Sequence, residues 1–314
     1  MTHPIVAEPL TPSVTLYEGD ALAVLPTLAA GSVDAVVTDP PYPEIDRDYG
    51  RLSESQWWDL MMGVCGEVRR VLKPTGSAMF ILQPNSRNVG SMRGWLWKFM
   101  AWACDEWNMV QDVWWWNHTT PPTVHCQEKY GLMRPSLKAC VWLGLGNCYR
   151  DQSVVLLPES IANAKTRKMA DNSLCRFPSG MSIRRLRTAS RCVERDGVTP
   201  FNLLPIANSN STDSAGSHNH GAGTPSVLAE WWVRYITPPD GIVLDMFAGS
   251  GTTALACLRE HKRCILVERE PEYCAIIRKR VSEFEDRTPL FRDEPVPLPV
   301  STPTQRPLFP QDSP

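Results

Sequence analysis

The sequence predicts an α/β protein with a mostly parallel sheet and helices on both of its faces. Two segments, 14–82 and 242–284, alternate short apolar strands with helical patterns. Such alternation produces parallel strands that are joined by right-handed crossovers. The chain has 314 residues, of which 43% are hydrophobic and 21% are charged. This composition is that of a globular protein with a sizeable core, and it excludes a chain that is disordered throughout.

The first segment is expected to contribute three strands and two helices. Apolar runs that end at glycine or aspartate predict the strands, and apolar periodicity before a Lys-Pro-Thr-Gly stop predicts the longer helix. The expected strands are 14–17, 34–38 and 78–82, and the expected helices are 21–28 and 55–72.

The second segment is expected to run from a strand through a glycine turn into a helix, and then through a second strand and helix. Its expected elements are strands 242–244 and 264–267, the turn 249–251, and helices 252–260 and 272–284. Between the two segments lies a tryptophan-rich stretch, which suits either packing in the core or a base-stacking platform.

Two features of the whole chain restrict the class of protein to which it can belong. No apolar run approaches the roughly 20 residues that span a bilayer, and the N-terminus lacks the layout of a signal peptide, so a cytoplasmic protein is expected. The ten cysteines include no pair at CxxC spacing. They predict reduced thiols and no metal site.

The charge of the chain is unevenly distributed. Its net charge is -2, yet the window 150–195 holds ten lysines and arginines against four acidic residues. A basic module inside an acidic protein favours a polyanionic partner, most commonly nucleic acid, and the alternative is a solvated surface without a partner. The basic residues expected to contact DNA are Lys165, Arg167, Lys168, Arg184, Arg185, Arg187 and Arg191.

A glycine turn at 245–252 follows the first strand of the second segment. Its glycines allow the backbone to approach a ligand closely, and the helix that follows presents free N–H groups. The turn lacks Gly-Lys-Ser/Thr, so a phosphate-binding P-loop is not expected. Glu268 ends the next strand, where a carboxylate can accept hydrogen bonds from both ribose hydroxyls of an adenosine. The alternative for Glu268 is a surface charge at a strand end.

The sequence Asp-Pro-Pro-Tyr at 39–42 follows a buried strand. The two prolines fix the backbone so that the Asp39 carboxylate and the Pro40 carbonyl can act as two acceptors on one side, while Tyr42 offers a flat face. This arrangement suits a planar group that carries an NH2. The alternative is a proline turn that only caps a strand.

These two motifs carry a family resemblance. The residues 39–42 and 245–253 resemble the DPPY and FxGxG motifs of the DNA methyltransferases that modify amino groups. The catalytic motif comes first, a basic middle follows, and the cofactor motif comes last, which is the order of the permuted β group of N6-adenine and N4-cytosine enzymes. The resemblance covers nearly the whole of 14–285. It implies that 114–124 and 137–143 are interior strands of the sheet and that the tryptophan-rich stretch packs in the core.

Lesser positions agree with this family, and two depart from it. Asp20 matches the family's acidic residue near the adenine ring of the cofactor. His220 stands five residues before Pro225, as in the family's HPTxKP segment, but the residues between them lack the usual proline and basic residue, so the segment has no cation for the cofactor's methionine carboxylate. Met246 replaces a usual proline.

The resemblance implies an S-adenosylmethionine-dependent methyltransferase (Rossmann-like) fold with permuted motif order and a target-recognition insert. The cofactor implied is S-adenosyl-L-methionine, without a metal. The implied catalytic residues are Asp39, Pro40, Pro41 and Tyr42. The implied cofactor-binding residues are Asp20, Thr224, Pro225, Asp245, Phe247, Ala248, Gly249, Ser250, Gly251, Thr252 and Glu268.

Four parts of the chain follow from the resemblance and from changes in composition. The stretch 208–223 is rich in Ser, Asn, Gly and His, and eight prolines lie in 289–314. The expected parts are a catalytic half at 1–149, a basic target-recognition insert at 150–215, a cofactor-binding half at 216–288 and a proline-rich flexible tail at 289–314. Trp57 and Trp58 are candidates for a pocket wall, because the residues before them are expected to form a loop over the base pocket.

The implied activity is methyl transfer from S-adenosylmethionine to the N6 amine of an adenine that is flipped out of duplex DNA. In this family an aspartate at the first motif position accompanies adenine more often than cytosine N4, where serine is usual. The alternatives are an N4-cytosine enzyme, an enzyme for RNA or protein, and a catalytically idle DNA-binding module. A restriction-modification setting and a cytoplasmic, nucleoid-associated place in a bacterium or phage are expected with it.

The tail contains one further motif. Gln305, Leu308 and Phe309 resemble the short peptides with which bacterial DNA enzymes dock on the replication sliding clamp. A weak clamp contact is therefore one hypothesis for this segment, and a tail without a partner is the other.

Overall fold

The computed structural model describes residues 6–46, 50–157, 197–208 and 223–287. Most of these residues surround one nine-stranded sheet, and a separate two-stranded hairpin consists of β5 and β6. The strands are β1 Ala7–Pro9, β2 Val14–Glu18, β3 Val33–Thr38, β4 Leu72–Leu82, β5 Ser86–Asn88, β6 Ser91–Met92, β7 Met109–Trp116, β8 Leu137–Gly144, β9 Leu203–Pro205, β10 Ile242–Asp245 and β11 Arg263–Glu268.

The nine strands follow the order β1-β2-β11-β10-β3-β4-β8-β7-β9. The five strands from β2 to β4 in this order pair in parallel, β8 is antiparallel to both of its neighbours, and β9 is parallel to β7. The predicted mostly parallel sheet is confirmed. Every residue of β3 is buried, as expected for a parallel strand that is covered on both faces.

Helices cover both faces of the sheet, as predicted. The helices are α1 Ala21–Val24, α2 Glu54–Val71, α3 Trp95–Glu106, α4 Ser226–Ile236, α5 Thr252–Arg259 and α6 Pro271–Arg287. Buried side chains of α1, α2 and α3 form one core cluster, and those of α4, α5 and α6 form the other. The sheet contributes alternate residues to the two clusters, which is the layered arrangement of doubly wound α/β proteins.

The longest helix of the first half, α2, begins at a capping box. The Ser53 hydroxyl accepts a hydrogen bond from the Gln56 backbone N–H, and the Gln56 side chain accepts one from the Ser53 N–H. The expected break between this helix and a strand at 78–82 was wrong. Strand β4 begins at Leu72, immediately after the helix, and a register shift opposite Val33 accommodates Pro74, which cannot donate a ladder hydrogen bond.

The expected strand at 114–124 was also placed wrongly. β7 ends at Trp116, and a loop with two consecutive prolines leads to β8. The tryptophans of this region divide between the two faces of α3 and of β7. Trp95 on α3 and Trp115 on β7 are buried, whereas 47% of Trp97 and 41% of Trp116 is exposed. Core packing of the stretch is therefore only partly confirmed.

The target-recognition insert expected at 150–215 lies mostly outside the described residues. Its described ends meet, because the backbones of Leu157 and Val198 exchange two hydrogen bonds of 2.9 Å. β9, which follows, joins the main sheet beside β7. Within the described residues, no helix is long and apolar enough to cross a membrane.

Candidate active site

A cavity of about 610 Å³ lies at the carboxyl ends of β3, β10 and β11. Ligands of open α/β sheets bind at this edge, outside the strand ends. Pro225 and Gly251 lie outside the cavity lining, where Pro225 is buried at the start of α4. The predicted site residues on the lining are Asp20, Asp39, Pro40, Pro41, Tyr42, Thr224, Asp245, Phe247, Ala248, Gly249, Ser250, Thr252 and Glu268.

The glycine turn between β10 and α5 needs glycine at two positions. Gly249 has a φ of 50° and Gly251 a φ of 81°, both in the left-handed region that side chains disfavour. A Cβ on Gly251 would lie 3.0 Å from Cγ1 of Ile277 on α6, whereas a Cβ on Gly249 would have no neighbour within 4 Å. Gly251 thus permits helix packing, and Gly249 keeps a wall of the cavity open.

Asp245 connects this turn to the end of β3 through side-chain hydrogen bonds. Its Oδ1 accepts hydrogen bonds from the Thr38 hydroxyl (2.6 Å) and the Phe247 N–H (3.1 Å), and its Oδ2 accepts one from the Thr253 hydroxyl (2.6 Å). Burial raises the pKa of the Asp245 carboxyl to about 6, against the lowering effect of these donors. Asp245 therefore joins the ends of β3 and β10 and the start of α5.

Glu268 is nearly buried beside the turn. Its Oε2 accepts a hydrogen bond from the Gly249 N–H (2.6 Å), and its Oε1 accepts one from the Glu270 N–H (2.9 Å). Burial raises the pKa of the Glu268 carboxyl, against the lowering effect of these N–H groups. The Arg269 N–H lowers this pKa as well. A carboxylate has about four lone-pair positions, so at least one is left to accept a hydrogen bond from a ribose hydroxyl of an adenosine.

Asp20 lies next to Glu268 through the backbone. The Gly19 N–H donates to the Glu268 carbonyl over 2.8 Å, and Asp20 follows as the N-cap of α1, where its Oδ1 accepts from the Leu22 N–H (2.9 Å). The side chain is exposed at the cavity rim. Together with the open turn at Gly249, these two carboxylates fit the adenosine part of S-adenosyl-L-methionine.

The Asp39 carboxylate is held by hydroxyl groups on both of its oxygens. The Tyr42 hydroxyl donates a hydrogen bond to Oδ1, and the Thr224 hydroxyl donates one of 2.8 Å to Oδ2. The expected flat face of Tyr42 is therefore mostly covered, with 9% of the residue exposed. Thr224, predicted from the cofactor side, is in contact with the catalytic motif.

Side chains donate hydrogen bonds to two of the backbone carbonyls that follow Asp39. The Trp57 indole N–H donates to the Pro41 carbonyl (2.8 Å), and the Asn85 amide donates to the Pro43 carbonyl (2.7 Å). Within the described part of the chain, no hydrogen bond ends on the Pro40 carbonyl. The described residues thus leave this carbonyl without a donor, and its role as an acceptor for a ligand stays a prediction.

The predicted role of Trp57 as a pocket wall was wrong. Trp57 is fully buried and packs edge-on against Trp95 and Phe99, because its indole ring faces the sheet from α2. Trp58 is half-buried and packs against Phe99 and Trp102. Both tryptophans belong to the core, and Trp57 contributes to the site only by fixing Pro41.

The sequence analysis missed Lys138. Its Nζ lies 3.6 Å from Asp39 Oδ2 and 3.3 Å from the Tyr42 hydroxyl. One local signal could have drawn attention to it, since a lysine directly before the buried run of a central strand is unusual. The 96 residues between Lys138 and Tyr42 gave no indication of their contact.

Other predicted residues fall outside the described residues. They are the seven basic residues of the insert, His220, and the tail residues Gln305, Leu308 and Phe309. Their roles stay predictions. Among the described residues, no group of three or more His, Cys, Asp or Glu side chains could hold a metal ion.

A family model described as DNA methylase matches residues 33–279. Among curated proteins, the chain is 28% identical over 283 residues to the Type II methyltransferase M.PvuII of Proteus hauseri, with 84% of this chain and 82% of the relative covered. It is 24% identical over 270 residues to the DNA adenine methyltransferase YhdJ of Escherichia coli K12, with 82% and 79% covered.

Solved structures of such enzymes share the fold. The PvuII DNA methyltransferase, titled cytosine-N4-specific, has a TM-score of 0.66 at 22% identity, with 90% of this chain and 96% of that chain covered. The complex of M1.HpyAVI with SAM has a TM-score of 0.52 at 16% identity, with 85% and 98% covered. These likenesses extend over almost the whole of the described fold.

Proposed function

The chain belongs to the DNA methylase family whose model matches residues 33–279, and from this premise we propose that it methylates the N6 amine of adenine at a specific site in duplex DNA. The observation that carries the proposal is the position of Asp39. Its carboxylate and the free Pro40 carbonyl lie on the same cavity as Gly249 and Glu268. The two proposed amine acceptors and the residues proposed to bind the cofactor thus lie at the same edge of the sheet.

The cofactor half of the cavity is proposed to hold S-adenosyl-L-methionine. When bound, this cofactor supplies an electrophilic methyl group on a sulfonium. Glu268 accepts hydrogen bonds from the ribose hydroxyls, Asp20 lies toward the adenine ring, and Gly249 allows the backbone to approach. Asp245 holds the turn in place through the hydroxyls of Thr38 and Thr253.

Asp39 and Pro40 act on the substrate amine. An amine conjugated to a ring is a poor nucleophile, so the enzyme must supply geometry and charge. Hydrogen bonds from the two amine protons to Asp39 and to the Pro40 carbonyl direct the nitrogen lone pair away from these acceptors, toward the methyl group. With the cofactor bound, this orientation would allow the nitrogen to take the methyl group. S-adenosylhomocysteine would be the leaving group, and the hydrogen-bonded Asp39 carboxylate would be the nearest acceptor for the proton that the nitrogen gives up.

For a base to reach the cavity, both the DNA and the protein must change conformation. The amine is paired inside the duplex, so the base must be flipped into the cavity. The Asp39 carboxylate has about four lone-pair sites, of which the Tyr42 and Thr224 hydroxyls use two. The proposal requires Tyr42 to expose more of its ring than in this structure, so that the ring can stack on the base.

Asp39 supports adenine as the target, because aspartate at this motif position resembles the adenine enzymes of the family. N4 of cytosine is the second candidate, since the related PvuII structure is titled cytosine-N4-specific. Adenine and cytosine both present an amine beside a ring nitrogen, so the contacts of Asp39 serve either base.

Nucleoside analysis distinguishes the two candidates. The chain is expressed in a methylation-deficient bacterium, and its DNA is digested and analysed by mass spectrometry, with Asp39→Ala as the control. N6-methyldeoxyadenosine that depends on Asp39 supports the proposal, and N4-methyldeoxycytidine would replace adenine by cytosine. If neither nucleoside forms, the proposal is wrong, and an enzyme for RNA or protein and an idle DNA-binding module remain as the alternatives. Modification-sensitive sequencing of the same DNA gives the recognition site.

Recognition of that site is proposed to depend on the basic insert. Ten lysines and arginines in 150–195 provide contacts to phosphates and base edges. The backbone hydrogen bonds between Leu157 and Val198 support an insert whose two ends lie side by side. The Type II relatives support a place in restriction-modification.

A further inference from the structure

Lys138 occupies the second position of β8, beside Asp39 and Tyr42. It pairs across the strands with Trp115. Its side chain is 12% exposed, and its ammonium lies 5.0 Å from the centre of the Trp115 ring and 5.5 Å from that of Tyr42. A buried cation therefore lies between two aromatic faces and the catalytic carboxylate.

The hydrogen-bonding capacity of this ammonium is not used up. A lysine has three N–H donors, and within the described residues Lys138 makes one hydrogen bond, of 3.3 Å, to the Tyr42 hydroxyl. Its distance of 3.6 Å from Asp39 is that of an ion pair and exceeds a good hydrogen bond. Buried polar groups are normally satisfied. A ligand that enters beside Asp39 can supply the acceptor that is lacking.

Packing alone does not call for a lysine here. The stem of the side chain contacts Trp115, and a methionine of similar length would fill that space without a buried charge. Burying a charge costs free energy that a single ion pair rarely recovers. The cation is therefore best explained by something that it binds.

We propose that Lys138 contacts the target base and donates a hydrogen bond to the ring nitrogen next to the amine, which is N1 of adenine. This inference rests on the proposed function. Asp39 accepts from the amine and Lys138 donates to the adjacent nitrogen, so the two side chains match the pairing edge of an amino base. Because lysine and aspartate form a neutral pair, the contact adds no net charge beside the cofactor sulfonium.

The same pair rejects the other two bases. Guanine and thymine present a carbonyl beside a ring N–H on that edge. In the same orientation their carbonyl oxygen would face the Asp39 carboxylate, and their N–H would face the Lys138 ammonium. Each contact would leave a buried group unpaired, which is the strongest form of discrimination by hydrogen bonds. Lys138 is thus assigned as a residue that determines base specificity.

The test combines a variant with a change of one atom in the substrate. Duplexes carry the site found by sequencing, with either adenine or 1-deazaadenine at the target position, so that N1 is replaced by C–H. Wild type, Lys138→Met and Lys138→Arg are compared by kcat/KM on both duplexes. Lys98→Met, which removes an exposed lysine of α3, is the matched control and should behave as wild type.

Lys138→Met is expected to lower kcat/KM on adenine by about 10- to 100-fold, as for a hydrogen bond to a charged group. The deaza substitution should then cost wild type at least about tenfold more than it costs Lys138→Met, because the variant has no donor left to lose. Lys138→Arg keeps donors and charge and should retain sensitivity to the deaza substitution.

Equal deaza penalties in wild type and Lys138→Met would overturn the contact with N1. Unchanged affinity of Lys138→Met for S-adenosylmethionine, by calorimetry, shows that the variant is folded, and Lys138→Arg provides the comparison if it is not. Failure of the proposed function is seen separately, in the nucleosides made by wild type. If wild type makes N4-methylcytosine, 3-deazacytosine takes the place of 1-deazaadenine in the same comparison.

Discussion

The positions of single site residues were predictable where a local sequence motif contains them. They were not predictable where residues far apart in the chain come together only in the folded protein. Asp39 and Glu268 each end an apolar strand, so the sequence alone places them at one edge of the sheet. The hydrogen bond from Thr224 to Asp39 joins residues that lie 185 positions apart. No local pattern encodes such a contact, and the contact of Lys138 with Tyr42 was missed for the same reason.

Asp39→Ala should lower methyl transfer by about a thousandfold or more, because it removes the acceptor that orients the amine. Affinity for S-adenosylmethionine should stay nearly unchanged, since Asp39 makes no hydrogen bond to the cofactor turn 245–252 among the described residues. Tritiated methyl incorporation into DNA and calorimetric titration measure the two effects. Retention of more than about a tenth of the activity would show that Asp39 is not the acceptor.

Glu268→Ala should act on the cofactor instead. The substitution removes both proposed ribose acceptors and also the partner of the Gly249 N–H, so affinity for S-adenosylmethionine should fall by about 10- to 100-fold. Calorimetry measures the loss. Glu270→Ala serves as the control, because it removes a neighbouring carboxylate whose own ion pair is with Arg269. Equal affinity of both variants would exclude the ribose contact.

At the level of elements, continuous apolar runs predicted the central strands well, and the sheet edge was predicted poorly. β3 and β10 are fully or almost fully buried, and their sequences leave little choice of structure. β9 has three residues and forms only because β7 is beside it. The end of β7 was misplaced because the predicted strand 114–124 ran through Pro121 and Pro122, which cannot donate ladder hydrogen bonds.

The two glycines of the turn should respond differently to a side chain. Gly249→Val places methyl groups in the open cavity, so it should weaken cofactor binding, and the left-handed φ of 50° adds a cost in stability for a β-branched residue. Gly251→Ala brings a Cβ to 3.0 Å from Ile277, so it should destabilise the fold by about 1–3 kcal/mol and leave the cavity open. Urea unfolding and calorimetry separate the two quantities. Loss of stability without loss of affinity in Gly249→Val would contradict this assignment.

The buried Asp245 should make the junction of β3, β10 and α5 sensitive to pH. Its pKa is raised to about 6 in the folded protein from an ordinary 3.8. Between these values the folded state holds a proton that the unfolded state has lost, so the contribution of Asp245 to stability is complete below about pH 4 and falls as pH rises to about 6. The loss is about 3 kcal/mol.

Unfolding in urea measures this effect between pH 4 and pH 7, with Asp245→Asn as the comparison. The variant does not titrate at this position. The free energy of unfolding of wild type, relative to the variant, should therefore decline over this interval. A difference that stays constant, or grows with pH, would show that the carboxylate is ionised in the folded protein throughout.

For the whole molecule, the distribution of charge gives information that the fold does not. The chain is nearly neutral, yet 150–195 is strongly basic, and the catalytic edge to which DNA must deliver a base lies on the other parts of the chain. The sequence predicted the module from composition alone. Its recognition site was not predictable, because base contacts depend on side-chain placement and follow no readable code.

Charge reversal at Arg184, Arg185 and Arg187 should weaken DNA binding and flatten its dependence on salt. Each phosphate contact releases counterions and contributes roughly one unit to the slope of log K against log salt, so three lost contacts should lower the slope by about three units. Fluorescence anisotropy with a labelled duplex at several salt concentrations measures the slope, and reversal of Arg69 and Arg263, outside the insert, is the control.

A smaller loss of slope, with relaxed preference at one base pair, would assign one arginine to a base edge. An unchanged slope with unchanged affinity would show that the basic window is a solvated surface, and DNA would then have to be held by the catalytic domain itself.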